Sequence, residues 1–271
     1  MKRNILVTND DGIESHFMRQ MVIALKTAGH RVSVVAPAGE QSWIGRAISR
    51  GGTVKVKKEA GWDIPAWSCS GTPTDCVNIA IYHLLPQKPD WVISGMNLGY
   101  NVSLPLITGS GTVAGALEAT FNGIPAIAVS MAVPNGEYDV IRKDKGLVKG
   151  AFAQSVKNAV NWIPKFLNNH KGTQTEESLE IYNLNFPVWV DAGTEWVETV
   201  PEFRQLGKLY HYSEQGYQFR FPLQSMMKTI KPPPPLSTDT EAIKDGKISW
   251  GKIDFSKIGK LSQSNEHPNI I

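Results

Sequence analysis

The sequence predicts an α/β fold built on a mainly parallel β-sheet. In the first half of the chain, short apolar runs alternate with stretches whose apolar residues recur at helical spacing. Parallel strands need crossover connections, usually helices, so this alternation is typical of a parallel sheet. The 271 residues suffice for one large or two small domains, and 41% hydrophobic with 20% charged residues is typical of a globular protein.

Helix and strand signals in the first half are local. In the first predicted helix, Phe17, Met21 and Leu25 recur at four-residue spacing, and Gly29 ends it. Thr72 and Pro73 are typical of a helix start. The predicted elements are strands at 3–8, 31–36, 91–94 and 125–130, a β-rich stretch at 47–70, and helices at 15–28, from Thr72 to about Leu85, and at 112–122.

The second half carries fewer signals. Residues 147–168 are predicted as a helix that Pro164 kinks or ends. A strand at 179–186 and an aromatic-rich, hairpin-like stretch at 196–228 follow. The run Lys231–Pro235 contains four prolines and is predicted to be an extended spacer.

Composition excludes several classes of protein. A net charge of +3 with scattered Lys and Arg argues against binding a nucleic-acid polymer. The apolar stretch at the start is too short for a signal peptide, and no run reaches membrane-spanning length. We therefore expect a cytoplasmic protein without membrane contact.

Cys69 and Cys76 lack further zinc ligands nearby and are expected to be buried thiols rather than a disulfide.

The segment Asn9-Asp10-Asp11-Gly12 directly follows the apolar run Ile5–Val7. Ligands of open α/β sheets bind outside the carboxyl ends of the strands, where this segment is predicted to lie. Two adjacent carboxylates repel each other and favour a counter-ion, and Asp oxygens suit Mg²⁺ or Mn²⁺. The alternative is an ordinary turn, which Asn, Asp and Gly all favour.

Three further segments are predicted at the same sheet edge: Glu40–Ser42, Ser94–Asn97 and Thr108–Thr112. Taken singly, each is compatible with a turn or a helix start. In the third, glycines before a helix allow backbone N–H groups to approach an anion, which the helix dipole favours. We call this third segment, Thr108–Thr112, the phosphate cradle. A metal ion beside it indicates phosphoryl transfer or phosphate ester hydrolysis. The Walker motif is absent, and the spacing of Gly109, Gly111 and Gly115 does not fit a dinucleotide fingerprint.

Taken together and in order, these segments resemble the SurE family, the stationary-phase survival proteins that act as 5′/3′-nucleotidases. The resemblance extends to about Ser249. The segments that carry it are Ile5–Gly12, Val35–Pro37, Ser42, Ser70–Val77, Ser94–Asn97, Ser110–Val113, Asn183–Pro187 and Thr238–Ile243.

The resemblance implies a Rossmann-like, three-layer parallel sheet with a C-terminal β-hairpin and arm. Residues 1–190 are then the catalytic core, and residues 191–250 the hairpin and arm, with core strands returning in this part. Residues 251–271 are a polar tail. In the family the hairpin and arm exchange between subunits, so a homodimer or homotetramer is expected.

The resemblance also implies a phosphomonoesterase that acts on nucleoside 5′-monophosphates with one Mg²⁺ or Mn²⁺ per subunit, and it leaves activity on 3′-monophosphates open. Its metal ligands correspond to Asp10, Asp11, Ser42 and Asn97, of which Asp10, Asp11 and Asn97 are the expected catalytic residues. Its phosphate-binding residues correspond to Asn9, Gly95, Ser110, Gly111 and Thr112. Trp43 and Ile44 depart from the family, which usually has a small residue after the ligand serine, and the tail after Trp250 also departs.

Other functions remain open at this stage. A nucleotide sensor without catalysis would use the same fold. An oxidoreductase would require a nicotinamide or flavin. A phosphoenzyme on Asp10 ranks lower, because dehalogenase-type phosphatases use Asp-x-Asp rather than adjacent acids. The sequence names no general acid or base, and His16 in the first helix is expected to be structural or at the surface.

Overall fold

The computed structural model describes residues 2–170, 172, 179–219, 229–230 and 237–257. Within these ranges, ten strands form the main sheet: β1 (Asn4–Thr8), β2 (Arg31–Pro37), β3 (Val56–Lys58), β4 (Ala66–Cys69), β5 (Trp91–Leu98), β6 (Ala126–Met131), β7 (Glu180–Phe186), β8 (Trp196–Val200), β13 (Ser237–Thr238) and β14 (Ile248–Asp254). Their order in the sheet is β13-β8-β14-β7-β6-β5-β1-β2-β4-β3. The α/β fold predicted from the sequence is confirmed.

Most strand pairs of this sheet are parallel. β1 lies between β2 and β5 and is parallel to both, and β6 and β7 continue the parallel order. The carboxyl ends of β1, β2 and β5 therefore meet at one edge. β3 with β4 and β14 with β7 are antiparallel pairs. Strands from the 191–250 part of the chain thus belong to the same sheet as the first half.

Helices cover both faces of the sheet and make three layers. The side chains of β1 alternate between two buried clusters: Ile5 and Val7 pack with Phe17 and Phe166, whereas Leu6 packs on the other face with Val113. Period-two alternation of this kind is what a strand buried on both faces requires. The helices are α1 (His16–Thr27), α2 (Pro73–Ile79), α3 (Leu104–Gly109), α4 (Gly111–Phe121), α5 (Tyr138–Lys143), α6 (Gly150–Asn169) and α7 (Asp239–Lys244).

Several boundaries differ from the sequence prediction. α2 has the predicted Thr72 cap, but it ends at Ile79 and continues as a π-helical turn, Ala80–Leu84. Of the two predicted effects of Pro164, ending the long helix is wrong, because α6 continues through Pro164 to Asn169. Strand structure in 47–70 is confined to β3 and β4, and α3 and α5 were not predicted. Both cysteines are free and buried, as expected.

The aromatic-rich stretch contains small β-structures outside the main sheet. β10 (Tyr210–Ser213) and β11 (Gly216–Phe219) form an antiparallel hairpin, and β9 (Phe203–Arg204) pairs with β12 (Thr229–Ile230). The predicted spacer Lys231–Pro235 and the end of the tail after residue 257 lie outside the described residues. Among the helices of the described ranges, none is long and apolar enough to span a membrane.

Asp239, at the start of α7, joins segments that are distant in sequence. Its carboxylate accepts hydrogen bonds from the backbone N–H of Ser103 (2.7 Å), Glu202 (3.0 Å) and Thr240 (2.8 Å). Ser103 immediately precedes α3 and has a φ of 68°, a conformation that non-glycine residues seldom adopt without support. The buried Asp239 side chain therefore fixes the segment that leads into α3.

We expect Asp239→Asn to lower the free energy of unfolding by about 1–3 kcal/mol, because its amide group leaves a buried N–H donor without an acceptor. Urea denaturation at pH 8 measures the effect. Asp245→Asn, an exposed position just after the same helix, is the control and should change the stability by less than about 0.5 kcal/mol. Equal stability of Asp239→Asn and the parent protein would contradict this role.

Candidate active site

The adjacent acids lie on a tight turn at the carboxyl end of β1. The side chain of Asn9 closes this turn, since its Nδ2 donates to Gly12 O (2.9 Å) and its Oδ1 accepts from Gly12 N (3.2 Å). Gly12 has a φ of 98°, and a Cβ there would lie 3.2 Å from the backbone of Gly39. Asn9 thus holds the turn that presents Asp10 and Asp11, and both of its side-chain groups are used within the turn.

The start of α4 packs directly against Asp10. A Cβ on Gly111 would lie 2.8 Å from the Cβ of Asp10, so only glycine fits at this position without displacing the acid. The Thr112 hydroxyl donates a hydrogen bond to Asp10 Oδ1. Ser110 caps the helix, its Oγ accepting from Val113 N at 3.1 Å. The hydroxyls of Ser110 and Thr112 are therefore engaged by the protein itself.

The loop after β2 brings Ser42 to the same place. Gln41 N donates to the backbone oxygen of Asp10 at 2.7 Å. This hydrogen bond fixes the loop beside the turn formed by residues 9–12, here called the acid turn. The exposed Ser42 donates through its Oγ to Glu40 Oε1 at 2.7 Å. Glu40 in turn accepts from Arg142 Nε with both carboxylate oxygens, at 2.8 and 2.7 Å. The Ser42 hydroxyl proton is thus directed at Glu40, which leaves the oxygen lone pairs available for another partner.

The end of β5 completes the set of loops. Pairing with β6 is interrupted between Ser94 and Asn97, and a Cβ on Gly95 would overlap Val129 O at 2.2 Å. After this irregularity, Asn97 Nδ2 donates to Gly99 O at 2.8 Å, so the amide oxygen is the atom Asn97 can offer to a ligand. Leu98 N donates to Asp11 Oδ2 at 3.0 Å. β5 is thereby connected directly to the second acid.

Burial and mutual repulsion dominate the electrostatics of the two acids. Burial raises the pKa of Asp10, although the hydrogen bond from the Thr112 hydroxyl opposes this effect. Burial also raises the pKa of Asp11, and the adjacent charge of Asp10 raises it further. In the described part of the chain, neither acid forms an ion pair with a Lys, Arg or His side chain. When both acids are ionised, the pair therefore carries negative charge that no side chain compensates, and a bound cation would neutralise it.

The available atoms fit a hard divalent cation. Asp10 and Asp11 supply carboxylate oxygens, Ser42 a hydroxyl oxygen and Asn97 an amide oxygen, and such all-oxygen sets suit Mg²⁺ and Mn²⁺. Among the described residues, no group of three or more His, Cys, Asp or Glu side chains forms a metal site. A cation at the acid pair would accordingly depend on the neutral oxygens of Ser42 and Asn97 as well.

Two residues of α5 beside the acids were missed at the sequence level. Arg142 contacts Glu40 as described, and Tyr138 lies close enough that a Cβ on Gly99 would contact its ring at 3.6 Å. Burial raises the pKa of Tyr138 to about 12, and the charges of Asp11 and Glu40 add to this effect. No motif marks these residues, and about a hundred positions separate Arg142 from Glu40. Only the tertiary fold reveals them.

A buried acid of α4 holds the part of the loop that directly follows Ser42. Glu118 of α4 forms an ion pair with Arg46 (2.5 Å) and accepts from Asn78 Nδ2 of α2 (3.0 Å). Arg46 also lies over the Phe121 ring at 4.8 Å. The loop between β2 and β3 is therefore held on both sides of Ser42, at Asp10 by Gln41 and at α4 by Arg46.

Comparisons with known proteins point to one family. Residues 5–208 match the family described as Survival protein SurE. The 5′-nucleotidase SurE of Methanosarcina barkeri is 37% identical over 194 residues, covering 72% of this chain and 70% of that protein. That of Prochlorococcus marinus strain NATL2A is 44% identical over 131 residues, covering 47% and 50%. The crystal structure of the SurE protein from Aquifex aeolicus superposes with a TM-score of 0.63 at 26% identity and covers 93% of both chains.

In metal-free protein, Asp11→Asn should raise the melting temperature at pH 8, because it removes a buried charge beside Asp10. The raised pKa of Asp11 means that ionisation costs stability above the ordinary carboxyl range, so the gain should shrink as the pH falls toward 4. Each kcal/mol of repulsion removed corresponds to about 2–4 °C. Thermal scans in EDTA measure this.

The exposed Asp144→Asn is the matched control and should show no such gain. Added Mn²⁺ should stabilise the parent protein more than Asp11→Asn. A destabilised Asp11→Asn protein at pH 8 in EDTA would contradict the repulsion between the two acids.

Proposed function

Since the chain belongs to the SurE family, we propose that it is a 5′-nucleotidase that hydrolyses nucleoside 5′-monophosphates to nucleoside and phosphate with one divalent cation per subunit. The relatives named 5′-nucleotidase SurE support the reaction. The acid pair without a counter-charge supports the cation.

One observation carries the proposal: the acid turn and the start of α4 are in contact. Gly111 packs on Asp10, and Thr112 donates to its carboxylate. A cation held by the acids would therefore lie beside a helix N-terminus, which favours a phosphate group. A phosphomonoester requires this combination, because charge develops on its phosphoryl oxygens during hydrolysis.

The proposed roles follow from the atoms that remain available. Asp10, Asp11, Ser42 and Asn97 hold the cation through oxygen atoms. When bound, the cation supplies positive charge that polarises the phosphoryl group. Gly95 and the backbone of residues 110–112 bind the phosphate, and Asn9 maintains the turn on which the acids lie. Thr112 orients Asp10 through its hydroxyl, a role that differs from direct phosphate contact.

The finer parts of the proposal come from the resemblance and the composition. They are activity on 3′-monophosphates, Mg²⁺ or Mn²⁺ as the cation, a cytoplasmic location, and assembly into a homodimer or homotetramer.

The first test measures phosphate release from 5′-AMP by EDTA-stripped protein, with and without Mn²⁺ or Mg²⁺. We expect activity only with metal, and Asp10→Asn should lose at least about 100-fold in kcat, the order of effect seen when a charge-stabilising group is removed. Asp144→Asn should retain full activity. AMP that binds but stays intact with every metal would favour the non-catalytic sensor instead.

A second test addresses the contact between the two halves of the site. Gly111→Ala places a methyl group 2.8 Å from the Cβ of Asp10, so the acid or the helix start must move, and we expect kcat to fall at least about 10-fold since small displacements of catalytic groups are costly. Gly51→Ala is the matched control, because a Cβ there meets no atom within 4 Å. Full activity of Gly111→Ala would show that the contact is dispensable.

A further inference from the structure

A large exposed ring borders the proposed phosphate cradle. Trp43 directly follows Ser42 and remains 44% exposed, although burial of an indole is strongly favourable. Its φ of 58° is seldom adopted by a bulky residue and needs support from its surroundings. An exposed aromatic residue that holds a disfavoured backbone conformation beside a candidate site indicates that the position of its ring serves a function.

The ring packs on the cradle itself. A Cβ on Gly109 would lie 3.5 Å from Trp43 Cε3, and Gly45 N donates to Gly109 O at 3.0 Å. Gly109 is two positions before Gly111, which contacts Asp10, so their Cα atoms are at most about 7 Å apart. Trp43 therefore lies at the Gly109 end of the cradle, whereas Asp10 lies at the Gly111 end. A substrate whose phosphate binds at Gly111 could reach Trp43 with its nucleoside part.

The hairpin extends this surface. The Phe219 ring meets Trp43 edge-on, with centroids 5.4 Å apart, and Tyr210 meets Phe219 in the same manner at 5.7 Å. Phe219 is 46% exposed and Tyr210 51% exposed. The three rings form a continuous aromatic surface, here called the ring surface, that begins at the cradle.

We propose that the ring surface, chiefly Trp43 and Phe219, binds the base of the nucleotide by stacking. This inference rests on the proposed function and specifies its substrate. Every base has a π-face, so stacking tolerates all bases, and a purine covers more of an indole than a pyrimidine does. The ring surface therefore contributes to the binding of any base, and contributes more for a purine than for a pyrimidine.

The test compares a substrate that carries a base with one that lacks it. The kcat/KM for 5′-AMP divided by that for ribose 5-phosphate isolates the contribution of the base, and it cancels any effect of position 43 on Ser42. Loss of one stacked base corresponds to a drop of about 10-fold or more in this ratio. Trp43→Ala should show this drop, Trp43→Phe should recover most of the ratio, and Phe219→Ala, which leaves residues 42–45 intact, should show a smaller drop.

Trp189→Ala is the control, because Trp189 is a similarly exposed indole (59%) whose ring packs edge-on against Phe152, whereas the ring that meets Gly109 and Phe219 is that of Trp43. Its ratio should equal that of the parent protein. An unchanged ratio in both Trp43→Ala and Phe219→Ala would overturn the inference while leaving the nucleotidase intact.

Failure of the proposed function would look different: neither substrate would release phosphate with any metal. Calorimetry with AMP and ribose 5-phosphate then decides the inference, since the parent protein should still bind AMP more tightly and Trp43→Ala should lose that difference. Equal affinity of the parent protein for the two compounds, or binding of neither, would overturn it.

Discussion

The architecture of the site depends on the close approach of one helix to the central strand. α4 reaches the end of β1 because its inward face carries glycine at positions 111 and 115. A Cβ on Gly115 would lie 2.8 Å from Ser94 Oγ and 3.0 Å from Thr8 Cγ2, and one on Gly111 would meet Asp10. Two glycines one helical turn apart thus bring a helix N-terminus against a carboxylate, and every proposed ligand is arranged around that contact. The arrangement places opposite requirements, for a cation and for an anion, within one small volume.

This closeness has an electrostatic cost that the fold offsets in part. Two adjacent buried carboxylates are unfavourable, and the Thr112 hydroxyl and Leu98 N–H each stabilise one of them. Neither donor carries a full charge, so the repulsion is reduced but remains. Glu40 contributes further negative charge nearby, yet Arg142 pairs with it through Nε, which donates to both carboxylate oxygens. The site therefore keeps its unsatisfied charge at the acid pair, where a cation is proposed, and neutralises the charge around it.

Local signals predicted the fold and the loops of the site, whereas contacts between distant segments could not be predicted. The apolar run Ile5–Val7 and the acids after it can be recognised within ten residues, because strand, turn and charge each leave a mark in sequence. Arg142 and Tyr138 leave none, since their place beside Glu40 and Asp11 depends on how α5 packs. Pro164 shows the limit of a local rule: the sequence suggested a break, but Phe166 and Leu167 after it are buried in the core, and their packing favours continuing the helix.

The contact between Asp239 and Ser103 has a consequence for the order in which the protein is made. In the segment before α3, the Ser103 N–H donates to the carboxylate of Asp239, a residue 136 positions later in the chain. During synthesis on a ribosome, β1, β2, β5 and α4 are complete long before Asp239 emerges, so the acid turn and the cradle can meet while the adjoining segment lacks its partner. Contacts over such long sequence separations form late, because closing the loop is entropically costly. We therefore expect the segment before α3 to become ordered late, once α7 has docked and its Asp239 can accept the hydrogen bond from Ser103 N.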